Sequence, residues 1–334
     1  MRRRRHRLQH GGRGRVTPLE GTRILDLCRY APGPYATLIC AALGANVVKV
    51  EAPPDGDPLR ELDPVAFERL NAGKKSVLLD LKSDEGMTRF WALLRNADVL
   101  VESFRPGVME RLGIGFEHVN HEVPAMIYVS ISGYGRSGSR HDRAGHDVNY
   151  MARAGALHGA PLPLPLQVAD FAGGGLYAVI SILAARMEGR GRHIDLSMER
   201  AVASMMMLAD SRAGDVLSGR YPNYTIYRTA CGQALSVGAL EPKFWQNFCD
   251  VLERPDLVAR KEDPGARDEI AAIFAGRTAA EWESRFRSTD ACVERVVAPA
   301  EALESSRAYE LPFGMPERDL GVAPELGQHN EEIL

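Results

Sequence analysis

Two short segments hold the residues best suited to chemistry. In Arg143-Ala-Gly-His-Asp-Val-Asn-Tyr150, His146 and Asp147 follow a glycine. In Val168-Ala-Asp-Phe-Ala-Gly-Gly-Gly175, Asp170 stands ahead of three glycines. The apolar run from Leu176 to Arg186 that follows reads as a buried helix. Asp170 and a row of bare backbone N–H groups would then sit at a helix N-terminus, a place that favours negative charge. An imidazole and a carboxylate supplied by neighbouring segments can form an acid/base pair. The plainer reading makes His146 a satisfied loop histidine and Asp170 an N-cap.

Composition narrows the class. The chain has 334 residues, 45% apolar and 25% charged, which is ordinary for a globular protein of about two domains. No apolar run is long enough to span a membrane. The five cysteines (Cys28, Cys40, Cys231, Cys249, Cys292) are scattered and odd in number, with no metal or redox spacing, and fit a reducing cytoplasm. Residues 1–15 carry seven arginines and no acid. With those removed from the net charge of −3, the rest stands at −10. The arginine-rich start, residues 1–17, therefore reads as a disordered tail. An acidic body argues against nucleic acid as the main partner.

The elements that must position the two segments follow in order. Short apolar strands are expected at Gly21–Leu27, Asn46–Glu51, Lys75–Leu81, Asp98–Glu102, Ala125–Ile131 and His193–Ser197. Helices alternate with them, at Tyr35–Leu43 (ended by Gly44) and from Ser83, an N-cap, to Asn96. This pattern predicts an α/β domain with a largely parallel sheet over residues 18–210. The Met-rich helix from Met198 to Met207 reads as core filling. Residues 211–223 are polar and read as a linker. Residues 224–303 predict a smaller α+β unit: a hairpin turning at Cys231-Gly232, then three helical patterns. The last stretch, 304–334, reads as an arm returning to the first domain.

Other motifs mislead. Gly133-Tyr-Gly-Arg-Ser-Gly138 matches G-x-G-x-x-G after a strand, but no helix pattern follows, so a dinucleotide site is disfavoured. Residue 139 is serine, so no G-x-S-x-G elbow is completed. There is no Walker A motif, and no His/Cys/Asp grouping has metal spacing, so no metal is expected.

Six blocks, in order, resemble the family III CoA-transferases (CaiB/BaiF type). They are Pro18–Leu27, Leu43–Glu51, Asn71–Lys82, Glu102–Gly113, Gly238–Trp245 and Ala323–Leu334. The resemblance covers almost everything from Pro18 onward. It implies a Rossmann-like large domain completed by the C-terminal arm, a small α+β domain, and an interlocked homodimer. It also implies that the only coenzyme is the CoA of an acyl-CoA substrate. Within this family, transferases use an aspartate nucleophile at the position of Asp170. Racemases keep that aspartate and add Gly-His-Asp, here Gly145-His146-Asp147, with a small-domain glutamate, here Glu241. All are present, so the residues resemble the racemases more. Removing a thioester α-proton needs a base on one face of Cα, an acid on the other, and donors for the enolate oxygen. The resemblance gives His146 and Asp170 the two proton roles, with Glu241 orienting His146. Backbone N–H groups over Asp170–Gly175 are the candidate donors. The family's CoA contacts correspond to Leu79, Lys82, Ser103, Phe104, Arg105 and Arg111, with Asp147 toward the pantetheine. Two departures stand out. Ala52 replaces a basic residue found in some transferases, and the loop Pro161-Leu-Pro-Leu-Pro165 is short. The expected activity is racemisation of 2-methylacyl-CoA thioesters. The alternatives are a CoA-transferase with Asp170 covalent, and a non-catalytic acyl-CoA binder.

Overall fold

The structure, a computed structural model, describes residues 17–158, 166–305 and 320–334. Residues 1–16 of the arginine-rich tail, residues 159–165 with the Pro161–Pro165 loop, and residues 306–319 of the arm lie outside the described residues. The described residues fall into two compact units. One ends at Met206 and takes in the C-terminal segment, and the other begins at Met207.

The first unit is built on six strands: β1 (Arg23–Asp26), β2 (Asn46–Glu51), β3 (Lys75–Leu78), β4 (Val99–Glu102), β5 (Ile127–Ser132) and β6 (Arg192–Ser197). Their order is β3-β2-β1-β4-β5-β6, and every pairing is parallel. This is the doubly wound order, and it reverses direction between β1 and β4. The strands are short and apolar because both faces are covered. On one face Ile24, Val47, Val99 and Val129 pack against helix Pro32–Ala42 and the helices after Ala169. On the other, Leu25, Val77, Leu100 and Tyr128 pack with Phe90 and Leu94 of helix Asp84–Leu94. Ser83 caps that helix as its sequence predicts, its Oγ accepting the Gly86 N–H at 3.0 Å. Helix Pro32–Ala42 starts three residues before the expected Tyr35, since Pro32 and Pro34 suit a first turn. Helices Pro64–Asn71 and Phe116–Glu122 were not expected, being short and weakly patterned.

Residues 320–334 close the exposed edge of β3. Ser76 exchanges bonds with His329: its carbonyl accepts the His329 N–H at 3.0 Å, and its own N–H meets Nδ1 at 3.2 Å. Asn330 Oδ1 accepts the Leu78 N–H at 2.8 Å. An edge strand whose polar groups are satisfied in this way is no longer a template for pairing. Arg60 adds a clamp, donating to both Glu51 oxygens (2.8 and 2.7 Å) and to the Pro324 carbonyl (3.1 Å).

The second unit has an antiparallel sheet of β7 (Tyr224–Arg228), β8 (Ala234–Gly238) and β9 (Val293–Arg295). Its core stacks Tyr227, Trp245, Phe248, Phe274, Trp282 and Phe286. The turn at Gly232 takes φ +79°, which glycine tolerates and which explains the hairpin there. Two expectations fail. The stretch read as a linker contains helix Arg212–Leu217, capped by Ser211. The methionines read as core filling are largely not core: Met198 is buried, but Met207 is 85% exposed.

Candidate active site

Both chemical segments enter helices on the same side of the first unit. His146 is the N-cap of helix Asp147–Arg153, in extended backbone. Asn149 Oδ1 accepts the His146 N–H at 3.0 Å, and the His146 carbonyl accepts the Asn149 N–H at 2.8 Å. The turn is therefore closed by residue 149, and the imidazole of His146 stays exposed.

Asp170 is not an N-cap. It lies second in a π-helix, Ala169–Leu176, that runs into helix Tyr177–Glu188. A π-turn is a rare, wide turn often found at functional sites. The three glycines explain the close fit around it. A Cβ on Gly174 would stand 2.8 Å from Pro32 Cβ, and one on Gly175 2.6 Å from Tyr35 Cδ1. Any side chain there would push Asp170's helix off helix Pro32–Ala42. This corrects the reading of the glycines as bare donors, because they lie inside the helix, where N–H groups serve its own ladder. Of the first-turn donors, the Phe171 N–H goes to the Gln167 carbonyl at 3.0 Å. The Asp170 N–H goes to Asp147 Oδ1 at 2.9 Å. The helix after the glycines is also less buried than its composition implies, with Ile180 60% exposed.

Asp147 thus ties the two segments together. Burial pushes the Asp170 carboxyl up to about 7, and the Asp147 charge adds to the effect. Tyr150, which sequence reasoning gave no role, packs beneath. Its hydroxyl donates to the Gly145 carbonyl. Burial, helped by Asp170, raises its pKa to about 12. Gly133 and Gly145 make room for its ring, since a Cβ on either would clash with it. The signal for Tyr150 was its spacing, one turn after His146.

A second feature lies at the carboxyl ends of β1 to β4, beside the reversal in strand order, where doubly wound sheets bind ligands. A cavity of about 280 Å³ is lined by Leu79, Lys82 and Phe104, three of the expected CoA contacts, together with Leu27, Val50 and Leu81. Ser103, Arg105 and Arg111 stand outside this lining. Ser103 accepts the Arg29 N–H at 3.3 Å, and Arg105 and Arg111 are exposed. Sequence reasoning missed Arg29, Lys49 and Asp57, which also line the cavity. Their place just past β1 and around β2 was the available signal. Lys49 is fully buried, paired with Asp57 at 2.8 Å and bonded to the Cys28 carbonyl at 2.8 Å. Glu241 belongs to the second unit, where it is the exposed N-cap residue of helix Pro242–Val251. Among the described residues no cluster of His, Cys, Asp or Glu could hold a metal. No helix among them is long and apolar enough to cross a membrane.

The sequence profile of CoA-transferase family III matches residues 19–329. The chain belongs to that family. Human α-methylacyl-CoA racemase is 34% identical to it, with 95% of this chain and 92% of the human protein covered. Succinyl-CoA:mesaconate CoA-transferase from Haloarcula hispanica is also 34% identical, over 75% of this chain and 71% of that protein. The orthorhombic crystal structure of Rv3272 from Mycobacterium tuberculosis superposes with a TM-score of 0.80 at 26% identity, covering 96% of this chain and 99% of that one. This family III enzyme therefore has both racemases and transferases among its relatives.

Proposed function

We propose that the chain racemises 2-methylacyl-CoA thioesters at Cα. One group takes the α-proton, an enolate forms, and a second group returns a proton to the opposite face. His146 and Asp170 fill these roles. The observation that carries the reading is the Asp170 carboxyl, raised to about 7 in a half-buried site. A general acid works best with a pKa near the working pH. His146, exposed on the adjoining turn, suits the other role because a neutral imidazole nitrogen can accept a proton. The cavity at the strand ends takes the nucleotide end of CoA, with Lys82 toward a phosphate. Glu241 acts from the small domain, and the assembly is two interlocked copies, as the family resemblance implies.

The test is to incubate the protein with one hand of a 2-methylacyl-CoA in heavy water. Deuterium at Cα with loss of handedness is the expected result. Absence of exchange across a range of acyl chains would sink the reading. The similarity to a succinyl-CoA transferase supports one other reading, CoA transfer through a covalent Asp170. In that case an added carboxylic acid becomes thioesterified, and hydroxylamine traps an acyl-aspartate at residue 170.

A further inference from the structure

The hydrogen bond between Asp147 and residue 170 is more than a tie between turns. Asp147 opens helix Asp147–Arg153 directly after His146, and its Oδ1 accepts the Asp170 N–H at 2.9 Å. That N–H belongs to a first turn, which has no internal acceptor for it. The bond therefore sets the position of Asp170 relative to the backbone that carries His146. It also holds a second carboxylate beside the first, and close carboxylates resist ionising together. His146 adjoins Asp147 on the same turn, and among the described residues no lysine or arginine pairs with either carboxylate. The His146 helix also contributes Tyr150, and helix Pro32–Ala42 contributes Tyr35, whose ring meets Phe171 edge-on at 4.8 Å. Helix Met198–Met205 brings Glu199, already engaged by Arg140 at 2.8 Å. Arg105, beyond β4, acts on Tyr150.

We propose that Asp147 is a positioning residue for the acid–base pair: its carboxylate fixes where Asp170 stands, and its charge adds to burial in holding the proton there. This rests on the racemase reading and departs from a role for Asp147 in holding pantetheine. The resting enzyme then carries an acid on the Asp170 face of Cα and a base on the His146 face. The first turnover is selective, because the substrate hand whose α-proton faces His146 is deprotonated and Asp170 delivers its proton to the other face. That leaves His146 protonated and Asp170 ionised, the state suited to the opposite hand.

The substitution Asp147→Asn separates the two effects, since it keeps an acceptor oxygen and the shape and removes the charge. The carboxyl of Asp170 is followed by ¹³C NMR in the whole protein, assigned by its disappearance in Asp170→Asn. The midpoint is expected about one pH unit lower in D147N. The rate that depends on protonated Asp170 should fall at pH 7 and recover at lower pH, with KM for the thioester unchanged. Asp147→Ala, which removes the acceptor too, should lower kcat at every pH. An unmoved midpoint in D147N, or a loss that appears in KM instead of the pH profile, overturns the proposal. The carboxyl titration needs no substrate, so it stands apart from the racemase reading. A shifted midpoint in a protein that exchanges no α-proton would condemn that reading and leave the carboxylate coupling intact.

Discussion

Two carboxylates of the first unit, Asp26 and Asp170, are withdrawn from water and treated in opposite ways. Beneath the strand-end cavity, Asp26 is fully buried and surrounded by partners. Lys74 meets Oδ2 at 3.1 Å, Thr37 donates to the same oxygen at 2.5 Å, and the Cys28 N–H reaches Oδ1 at 2.9 Å. Burial opposes its charge, yet Lys74 and Lys49 hold it down at about 2. At the π-helix, Asp170 is also withdrawn from water, but the charge that acts on it is another carboxylate, Asp147, and it sits at about 7. Both begin with the same kind of desolvation penalty, and the neighbours decide the sign of the net shift. At Asp26 the cations and donors outweigh burial and the carboxyl stays ionised; at Asp170 nothing offsets burial and the proton is retained.

The largest effect should come from breaking the satisfied site. Asp26→Asn leaves Lys74 buried with its other acceptors, the Pro34 carbonyl and Asn71, but without its counter-charge. A buried pair that loses one partner costs about 3–5 kcal/mol, which urea unfolding at pH 7 should show. The pH dependence follows from the lowered value. The contribution of Asp26 is present above the unfolded carboxyl pKa and is lost as pH falls from about 4 toward 2, so parent and variant should converge there.

At Asp170 the sign reverses. A carboxyl raised to about 7 folds most favourably when protonated. Its ionisation penalises the native state progressively as pH climbs from about 4 to 7, and stays constant above. Asp170→Asn removes that penalty. The variant should match the parent near pH 4 and exceed it by about 1–3 kcal/mol at pH 8, while activity drops about 10²- to 10⁴-fold. A variant that is less stable at pH 8 would mean that Asp170 is held as an anion, the state a nucleophile needs, and would favour the transferase reading.

How far this contrast was legible beforehand differs between the two sites. The parallel sheet, the hairpin at Cys231-Gly232 and the Ser83 cap follow from local patterns, and local patterns are what a sequence displays. His146, Asp147 and Asp170 were visible by type and spacing. The partners that set their chemistry were not, because they are long-range. Lys74 reaches Asp26 across 48 positions, and Asp147 reaches residue 170 across 23. The glycines after Asp170 were misread for a related reason. A run of glycines at a helix start looks like an anion cradle. Only the approach of Pro32 and Tyr35, from far earlier in the chain, shows that the missing side chains make room for a neighbouring helix. The exposed methionines failed likewise, since composition does not show which face of a helix is covered.

The smallest effect serves as the reference for the other two. Ser83 Oγ accepts the Gly86 N–H at 3.0 Å at an exposed helix end. Ser83→Ala should cost about 1 kcal/mol, the usual loss for an N-cap. A hydroxyl does not titrate in this range, so the loss should be flat from pH 4 to 8. The three stability differences then have three distinct slopes against pH: Asp26→Asn loses more as pH rises from acid, Asp170→Asn gains, and Ser83→Ala does not move. A sloping Ser83 curve would show that the fold as a whole changes with pH. The opposite slopes at the two aspartates could then no longer be assigned to their neighbours.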